Sequence, residues 1–143
     1  MMRVRQFAAA ITFNRTSLFH AALLLGAVCA SYANALWGVF QFDDFKVIVD
    51  NPRIHSWAAW WQDIHHGIRP LLKFTYTLDW TLGLGEFGFH LSNILIHLGN
   101  VYLVWALSQR FAAQHAALRA NTALPLLAAL LFAVHPAHSE AIT

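Results

Sequence analysis

The sequence predicts an all-α integral membrane protein, with three transmembrane helices and short interfacial helices in the first outer loop. The first observation is composition: of 143 residues, 58% are apolar and only 11% are charged, and the mean hydropathy of +0.48 is high for a soluble domain. The second is that the apolar residues form three runs, at 17–40, 89–108 and 122–135. About 20 helical residues cross a hydrocarbon core about 30 Å thick, so each run is predicted to be a span.

The basic residues predict which side of the membrane each connecting segment occupies. Before the first run and between the last two, positive charges stand without acidic neighbours, at Arg3, Arg5, Arg15, Arg110 and Arg119. Lys and Arg are enriched in cytoplasmic segments, so we expect 1–16 and 109–121 to be cytoplasmic. The loop 41–88 then lies outside the cytoplasm, and 136–143 begins the next outer segment. The expected location is a bacterial inner membrane or an endoplasmic reticulum membrane, with several passes.

The first apolar run has an alternative interpretation as a cleaved signal peptide. Ala33-Asn34-Ala35 has the small-x-small form that signal peptidase accepts after an apolar core. The apolar run continues beyond this point to Phe40, which favours a membrane anchor. The one cysteine, Cys29, lies in the same run, so an intramolecular disulfide is excluded.

The outer loop 41–88 begins with two adjacent carboxylates, Asp43 and Asp44, flanked by aromatic residues. A short β-branched segment follows and ends at the turn signal Asn51-Pro52. The carboxylates are the first candidates for chemistry in the chain. Taken from the sequence alone, a helix cap or a solvated pair in a loop is favoured over a catalytic role.

A short helix is predicted after Ser56, which is a good N-cap residue. Four apolar residues at i, i+3, i+4 and i+7 share one face of this helix: Trp57, Trp60, Trp61 and Ile64. Because tryptophan prefers the headgroup level of a bilayer, we interpret it as an interfacial helix on the outer surface. The alternative is a helix that packs against a protein partner.

The segment from Arg69 to Leu82 gives conflicting signals. Its apolar residues alternate with polar ones, which predicts a strand. Pro70 near its start instead suits the first turn of a helix, which would align Arg69, Lys73 and Tyr76. The residues alone favour the strand. Three glycines then predict a flexible connection to the second run.

The second apolar run carries polar residues on one side. His90, Asn93, His97 and Asn100 fall within an arc of about 80° on a helix. Such a stripe faces other helices or a wet cavity, and its residues either bind substrate or hydrogen-bond between helices. The second explanation is favoured for the two asparagines, and neither is favoured for the histidines. The third run is followed by three more ionisable residues, His135, His138 and Glu140.

Four motifs in order resemble one known family. They are the Asp pair, Arg69-Pro70-Leu71, the stretch from Phe89 to His97 that reads FHLSNILIH, and the stretch from His135 to Ala141 that reads HPAHSEA. This series is similar to the start of the transmembrane and tetratricopeptide-repeat O-mannosyltransferases, which with their bacterial relatives are GT-C glycosyltransferases. The resemblance covers about residues 37–143.

The resemblance implies a helical membrane fold with its active site at the outer surface, and it implies a helix for the segment from Arg69 to Leu82. It also implies a sugar donor on polyprenyl phosphate and a protein or lipid acceptor, with the bilayer as a further partner and no nucleic acid. The later spans and the tetratricopeptide repeats have no counterpart in these 143 residues. We therefore expect a fragment of a longer protein, inactive alone.

Glycosyl transfer requires a base that takes the proton from the acceptor hydroxyl. It also requires cationic groups or hydrogen-bond donors that stabilise the departing phosphate. With the resemblance, Asp43 or Asp44 is the predicted base, and its neighbour orients the acceptor or raises the base's proton affinity. Arg69 and Lys73 are candidates for the lipid phosphate, with snorkelling beside lipid headgroups as the alternative. The substrate-binding candidates on later segments are His90, Asn93, His97, His135, His138 and Glu140.

Other classes of function remain open from the sequence. The last histidines and Glu140 are acceptable ligands for a divalent cation, but their spacing matches no standard metal site, so no cofactor is predicted. His90 and His97, seven residues apart on one membrane helix, are compatible with a haem-binding subunit. The third possibility is a truncated membrane fragment without catalytic function.

Overall fold

The computed structural model describes residues 15–139, and in this part the helices are joined by turns and loops, without a strand. Glu140 lies outside the described residues, so the prediction for it stays untested. The described part contains five α-helices: α1 (Arg15–Tyr32), α2 (Trp57–Asp63), α3 (Pro70–Leu82), α4 (Gly85–Gln114) and α5 (Ala123–Ala133). The prediction of an all-α fold is confirmed.

Helices α1, α4 and α5 pack together as a bundle. Its core contains eight buried residues, which are Leu24, Val28, Tyr32, Ala35, Ile94, Val101, Ala129 and Ala133. On α1 the buried residues recur every four positions, which is the spacing of one helical face. Two tyrosine hydroxyls reinforce the bundle: Tyr102 donates to the Ala21 carbonyl oxygen over 3.0 Å, and Tyr32 donates to that of His135 over 3.3 Å.

Two helical segments are long and apolar enough to cross a membrane, Arg15–Trp37 and Gly85–Gln114. The first is α1 with the 3₁₀ helix that continues it, and it ends three residues before the predicted limit of 40. The second is α4, whose 30 residues extend about 45 Å at 1.5 Å per residue. It begins at Gly85 and ends at Gln114, beyond both limits of the predicted run 89–108. In each segment only 17% of the most apolar window is buried, whereas a core helix of a soluble protein is mostly buried.

The third predicted span, 122–135, contains the much shorter helix α5. Its 11 residues extend about 16 Å, which is about half of the hydrocarbon thickness. The structure therefore supports two candidate spans and leaves the third a prediction.

The loop between α1 and α4 folds into short helices over a small core of its own. Buried Ile48, Ile54 and Phe89 form its centre, and Phe40, Tyr76 and Trp80 pack against them. The β-branched segment after the Asp pair forms a π-helix, Phe45–Val49, and the Asn51-Pro52 turn leads into a 3₁₀ helix, Pro52–Ile54. This small core joins the start of the loop to α3 and α4.

The segment 69–82 is helical, as the resemblance implies and against its alternating pattern. Pro70 occupies the first turn of α3, where a missing backbone N–H costs nothing. Two threonines of the alternating series donate to carbonyl oxygens of the preceding turn, Thr75 to Leu72 and Thr81 to Thr77. These bonds satisfy two of the three threonine hydroxyls on the helix itself, whereas the buried Thr77 hydroxyl has no hydrogen-bond partner among the described residues.

The predicted flexible connection at 83–88 is a tight turn instead. Gly83 and Gly85 have φ of 67° and 59°, the left-handed conformation that glycine adopts without a Cβ penalty. Gly88 already lies inside α4. The turn brings α3 back against the first turns of α4.

Candidate functional site

The Asp pair lies at a backbone turn at the start of the outer loop. Phe42, immediately before it, has φ of 40° and is 91% exposed, an uncommon conformation for a residue other than glycine. The Asp44 carboxylate accepts a hydrogen bond from the Gln41 backbone N–H at 2.9 Å, so one of its oxygens acts as a local cap. Asp43 is exposed. The pair therefore offers one oriented carboxylate and one that faces solvent.

Arg69, at the start of α3, is the second residue with a strained backbone. Its φ of 58° and ψ of 58° are left-handed, and its side chain is exposed. Strained backbone of this kind costs of order 1–3 kcal/mol and is concentrated at functional sites. Phe42 and Arg69 are the only two such residues, glycines aside, in the part of the chain that the structure describes.

Tyr76 connects the Asp pair with Arg69. Its ring packs on Phe89 with centroids 5.8 Å apart. Burial raises the pKa of Tyr76, the charges of Asp44 and Asp79 raise it further, and that of Arg69 lowers it. The charges of Asp44 and Arg69 thus act on the pKa of Tyr76 in opposite directions. The sequence signal for this residue was its predicted alignment with Arg69 and Lys73.

Asp79 is a buried carboxylate that the sequence analysis did not single out. It is 3% exposed and accepts a hydrogen bond from the Ser92 hydroxyl at 2.6 Å, which ties α3 to α4. Burial raises the pKa of Asp79, and the Ser92 bond opposes that rise. The available signal was one acidic residue three positions after Tyr76 on the same helix.

Lys73 is engaged away from the Asp pair. Its ammonium donates to the Asp63 carboxylate, which also lies 3.3 Å from Arg53. The bond from Lys73 is the main reason why the pKa of Asp63 is below its usual range. The proposed phosphate ligand is therefore already paired with α2, and Arg69 is the more available cation of the two.

The stripe of α4 divides into buried histidines and more exposed asparagines. His90 is 3% exposed, and neither ring nitrogen has a hydrogen-bond partner among the described residues. It lies so close to the backbone of Gly38 that a Cβ there would be 2.9 Å from Nε2. Asn93 is half-buried and Asn100 is exposed, so the role predicted for the two asparagines stays a prediction.

His97 and His138 contact each other near the end of α5. Their ring centroids are 5.0 Å apart, and the Tyr32 ring meets His97 edge-on at 5.2 Å. Burial, then the neighbouring His97 and His135, lowers the pKa of His138. His135 caps the short 3₁₀ helix by accepting from the Ala137 N–H. These contacts bring three of the predicted residues into one cluster.

The structure bears on the metal and haem alternatives at two points. Within residues 15–139, no three His, Cys, Asp or Glu side chains converge in a way that could hold a metal ion. His97 Nε2 is 3.1 Å from the Ala133 carbonyl oxygen, so this nitrogen donates a hydrogen bond and has no lone pair for an iron.

The predicted residues thus form two groups on different faces of α4. Phe89 and Ser92, which contact α3, are about 60° apart around the helix axis, and they adjoin Tyr76 and Asp79. His90 and His97 differ by only about 20° and face the 3₁₀ helix after α1 and the end of α5. We find no contact between the Asp pair and His135 or His138 in the described part of the chain.

The fold and the site describe an all-helical chain of the membrane-protein class. It has two candidate membrane helices, and a carboxylate, a phenol and a guanidinium lie at one end. The chain is 34% identical over 139 residues to protein O-mannosyl-transferase TMTC1 of Homo sapiens. It is also 34% identical over 151 residues to TMTC4 and 30% identical over 136 residues to TMTC3, both protein O-mannosyl-transferases of Homo sapiens. Over this stretch the chain is homologous to the protein O-mannosyl-transferases, the family that its motifs resemble.

The homologous stretch covers most of this chain but little of each relative. It includes 85% of the chain and 15% of TMTC1, 87% and 20% for TMTC4, and 85% and 14% for TMTC3. The chain thus spans less than a quarter of the length of these relatives. No family model matches the chain. No solved structure matches it.

Proposed function

We propose that the chain forms part of a GT-C membrane glycosyltransferase, which transfers mannose or another hexose from polyprenyl phosphate to a protein hydroxyl. The homologues named protein O-mannosyl-transferases support the transferase activity. The observation that carries the proposal is that Phe89 packs on both Phe40, which precedes the Asp pair, and Tyr76, on the helix that follows Arg69. A base and a phosphate ligand are the two groups that this transfer requires.

The reaction forms one bond to the anomeric carbon and breaks another. The acceptor oxygen attacks that carbon while its proton passes to a carboxylate of the Asp pair. The bond between the anomeric carbon and the phosphate oxygen breaks, and its electron pair leaves with the polyprenyl phosphate. Charge grows on that oxygen, so a positioned cation lowers the barrier. Arg69 supplies the cation, and Lys73 would first have to leave Asp63.

The two aspartates are suited to different tasks. Asp44 is oriented by its bond from Gln41, and its charge raises the pKa of Tyr76. Asp43 points to solvent, where it can orient the acceptor. Adjacent side chains diverge in direction, so one acceptor hydroxyl is not expected to meet both in the same way.

The proposed membrane arrangement follows the charge bias of the sequence. The N-terminus lies in the cytoplasm, and the Asp pair lies on the extracytoplasmic side after the first span. Exposed apolar residues on α1 and α4, including Phe19, Leu103 and Phe111, suit contact with lipid or with further helices. A third span at 122–135, and further spans and tetratricopeptide repeats outside this chain, complete the proposal.

A donor assay tests this function. We expect the intact protein in oriented vesicles to transfer labelled mannose from a polyprenyl phosphate to a Ser- and Thr-containing peptide supplied on the extracytoplasmic side. GDP-mannose should not replace the lipid-linked donor. Transfer from the nucleotide sugar, or transfer only to peptide on the cytoplasmic side, would contradict the proposal.

A further inference from the structure

Tyr76 lies beneath the segment that carries the Asp pair. The residues that anchor this segment on either side of the pair are Phe40 and Ile48, and both belong to the same small core as Tyr76. Phe89 is the shared contact, at 5.4 Å from the Phe40 ring and 5.8 Å from the Tyr76 ring. The Tyr76 ring is thereby fixed relative to the backbone on both sides of the carboxylates.

The hydroxyl of Tyr76 is available to a ligand. No hydrogen bond from it is found within residues 15–139, whereas the hydroxyls of Tyr32 and Tyr102 are both bound to carbonyl oxygens. Burial and the nearby Asp44 raise the pKa of Tyr76, so the phenol stays protonated at neutral pH. It is therefore a neutral hydrogen-bond donor with a fixed ring.

We propose that the Tyr76 hydroxyl contacts the sugar donor, giving a hydrogen bond to an oxygen of its phosphate. This inference rests on the proposed function, because it assumes a lipid-linked sugar phosphate at the site. Arg69 is exposed at the start of the helix that carries Tyr76, and a phosphate has enough acceptor oxygens for both groups. A neutral hydroxyl adds a donor beside the Asp pair without adding a charge that would pair with the base.

The substitution Tyr76→Phe tests this contact, because it removes the hydroxyl and keeps the ring that packs on Phe89. We expect the intact protein with this change to bind geranyl phosphate about 10- to 100-fold more weakly, as for the loss of a hydrogen bond to a charged group. Binding of geraniol, which lacks the phosphate, should not change. Titration calorimetry in detergent measures both, and an unchanged circular dichroism spectrum checks the fold.

Tyr102→Phe is the matched control, because its hydroxyl bonds Ala21 in the helix bundle, away from the Asp pair. Equal loss of affinity in both variants, or equal affinity of the wild type and Tyr76→Phe for geranyl phosphate, overturns the inference. So does a wild type that binds geranyl phosphate no better than geraniol. Weaker binding by Tyr76→Phe alone, with no sugar transfer by the wild type, supports the phosphate contact and overturns the proposed function.

Discussion

At the scale of single residues, the buried Asp79 makes folding depend on pH. Burial raises the pKa of Asp79 in the folded protein above its value in the unfolded chain, so the folded state holds its proton to a higher pH. The free energy of unfolding is therefore larger at low pH and falls as the pH rises through the folded pKa. The Ser92 hydrogen bond offsets part of this loss by stabilising the ionised carboxylate.

We expect Asp79→Asn to raise the melting temperature at neutral pH. The amide oxygen still accepts from Ser92, and no charge has to be buried. The gain should shrink as the pH falls toward the unpaired aspartate pKa of about 3.9, which thermal melts across a pH series in detergent will measure. Asp50→Asn is the control, because Asp50 is exposed in the same loop. A variant that melts lower than the wild type at neutral pH would show that the ionised carboxylate contributes more than its burial costs.

At the scale of elements, α2 is held on α3 by aromatic packing and one ion-pair cluster. Trp57 and Trp60 lie 5.3 and 5.5 Å from Phe74, so these two members of the predicted interfacial face contact α3. Trp61 is 65% exposed and Trp57 is 40% exposed, so both keep surface that a bilayer can contact. Below them, Asp63 bonds Lys73 on α3.

We predict that Gly67→Ala loosens this pair of helices. A Cβ at position 67 would overlap the Asp63 carboxylate and come within 2.5 Å of the Lys73 nitrogen, so the ion pair has to shift. Overpacking of this kind costs about 1–3 kcal/mol, and thermal unfolding should report it. Gly99→Ala is the control, since no atom lies within 4 Å of a Cβ there. Equal melting temperatures for the two variants would mean that the ion pair tolerates the methyl group.

An element could be predicted from the sequence where the contacts that determine its structure join residues close together in the chain. The capping of α2 by Ser56, whose hydroxyl accepts from Ala59 at 3.2 Å, was predicted because the motif is local. The period of α3 was misleading, because two of its threonines, Thr75 and Thr81, bond within the helix. The pairing of Lys73 depends on the turn between α2 and α3, which no spacing along the chain reveals.

At the scale of the whole molecule, α4 decides which site residues meet. The stripe from His90 to Asn100 was predicted from spacing, and its two histidines are buried. Which neighbour each face contacts follows from the tight turn at Gly83 and Gly85, which was predicted as a flexible connection. The separation of the Asp pair from the His97 and His138 cluster was therefore not available from sequence.

The central claim is that the Asp pair supplies the base for glycosyl transfer, and the initial rate from a polyprenyl-phosphate sugar tests it most directly. We expect Asp43→Asn and Asp44→Asn in the intact protein to abolish transfer, with at least about a 100-fold loss for the residue that acts as the base. Membrane insertion should be unchanged, and Asp50→Asn should transfer like the wild type. Wild-type rates in both Asp43→Asn and Asp44→Asn would contradict the assignment of the pair.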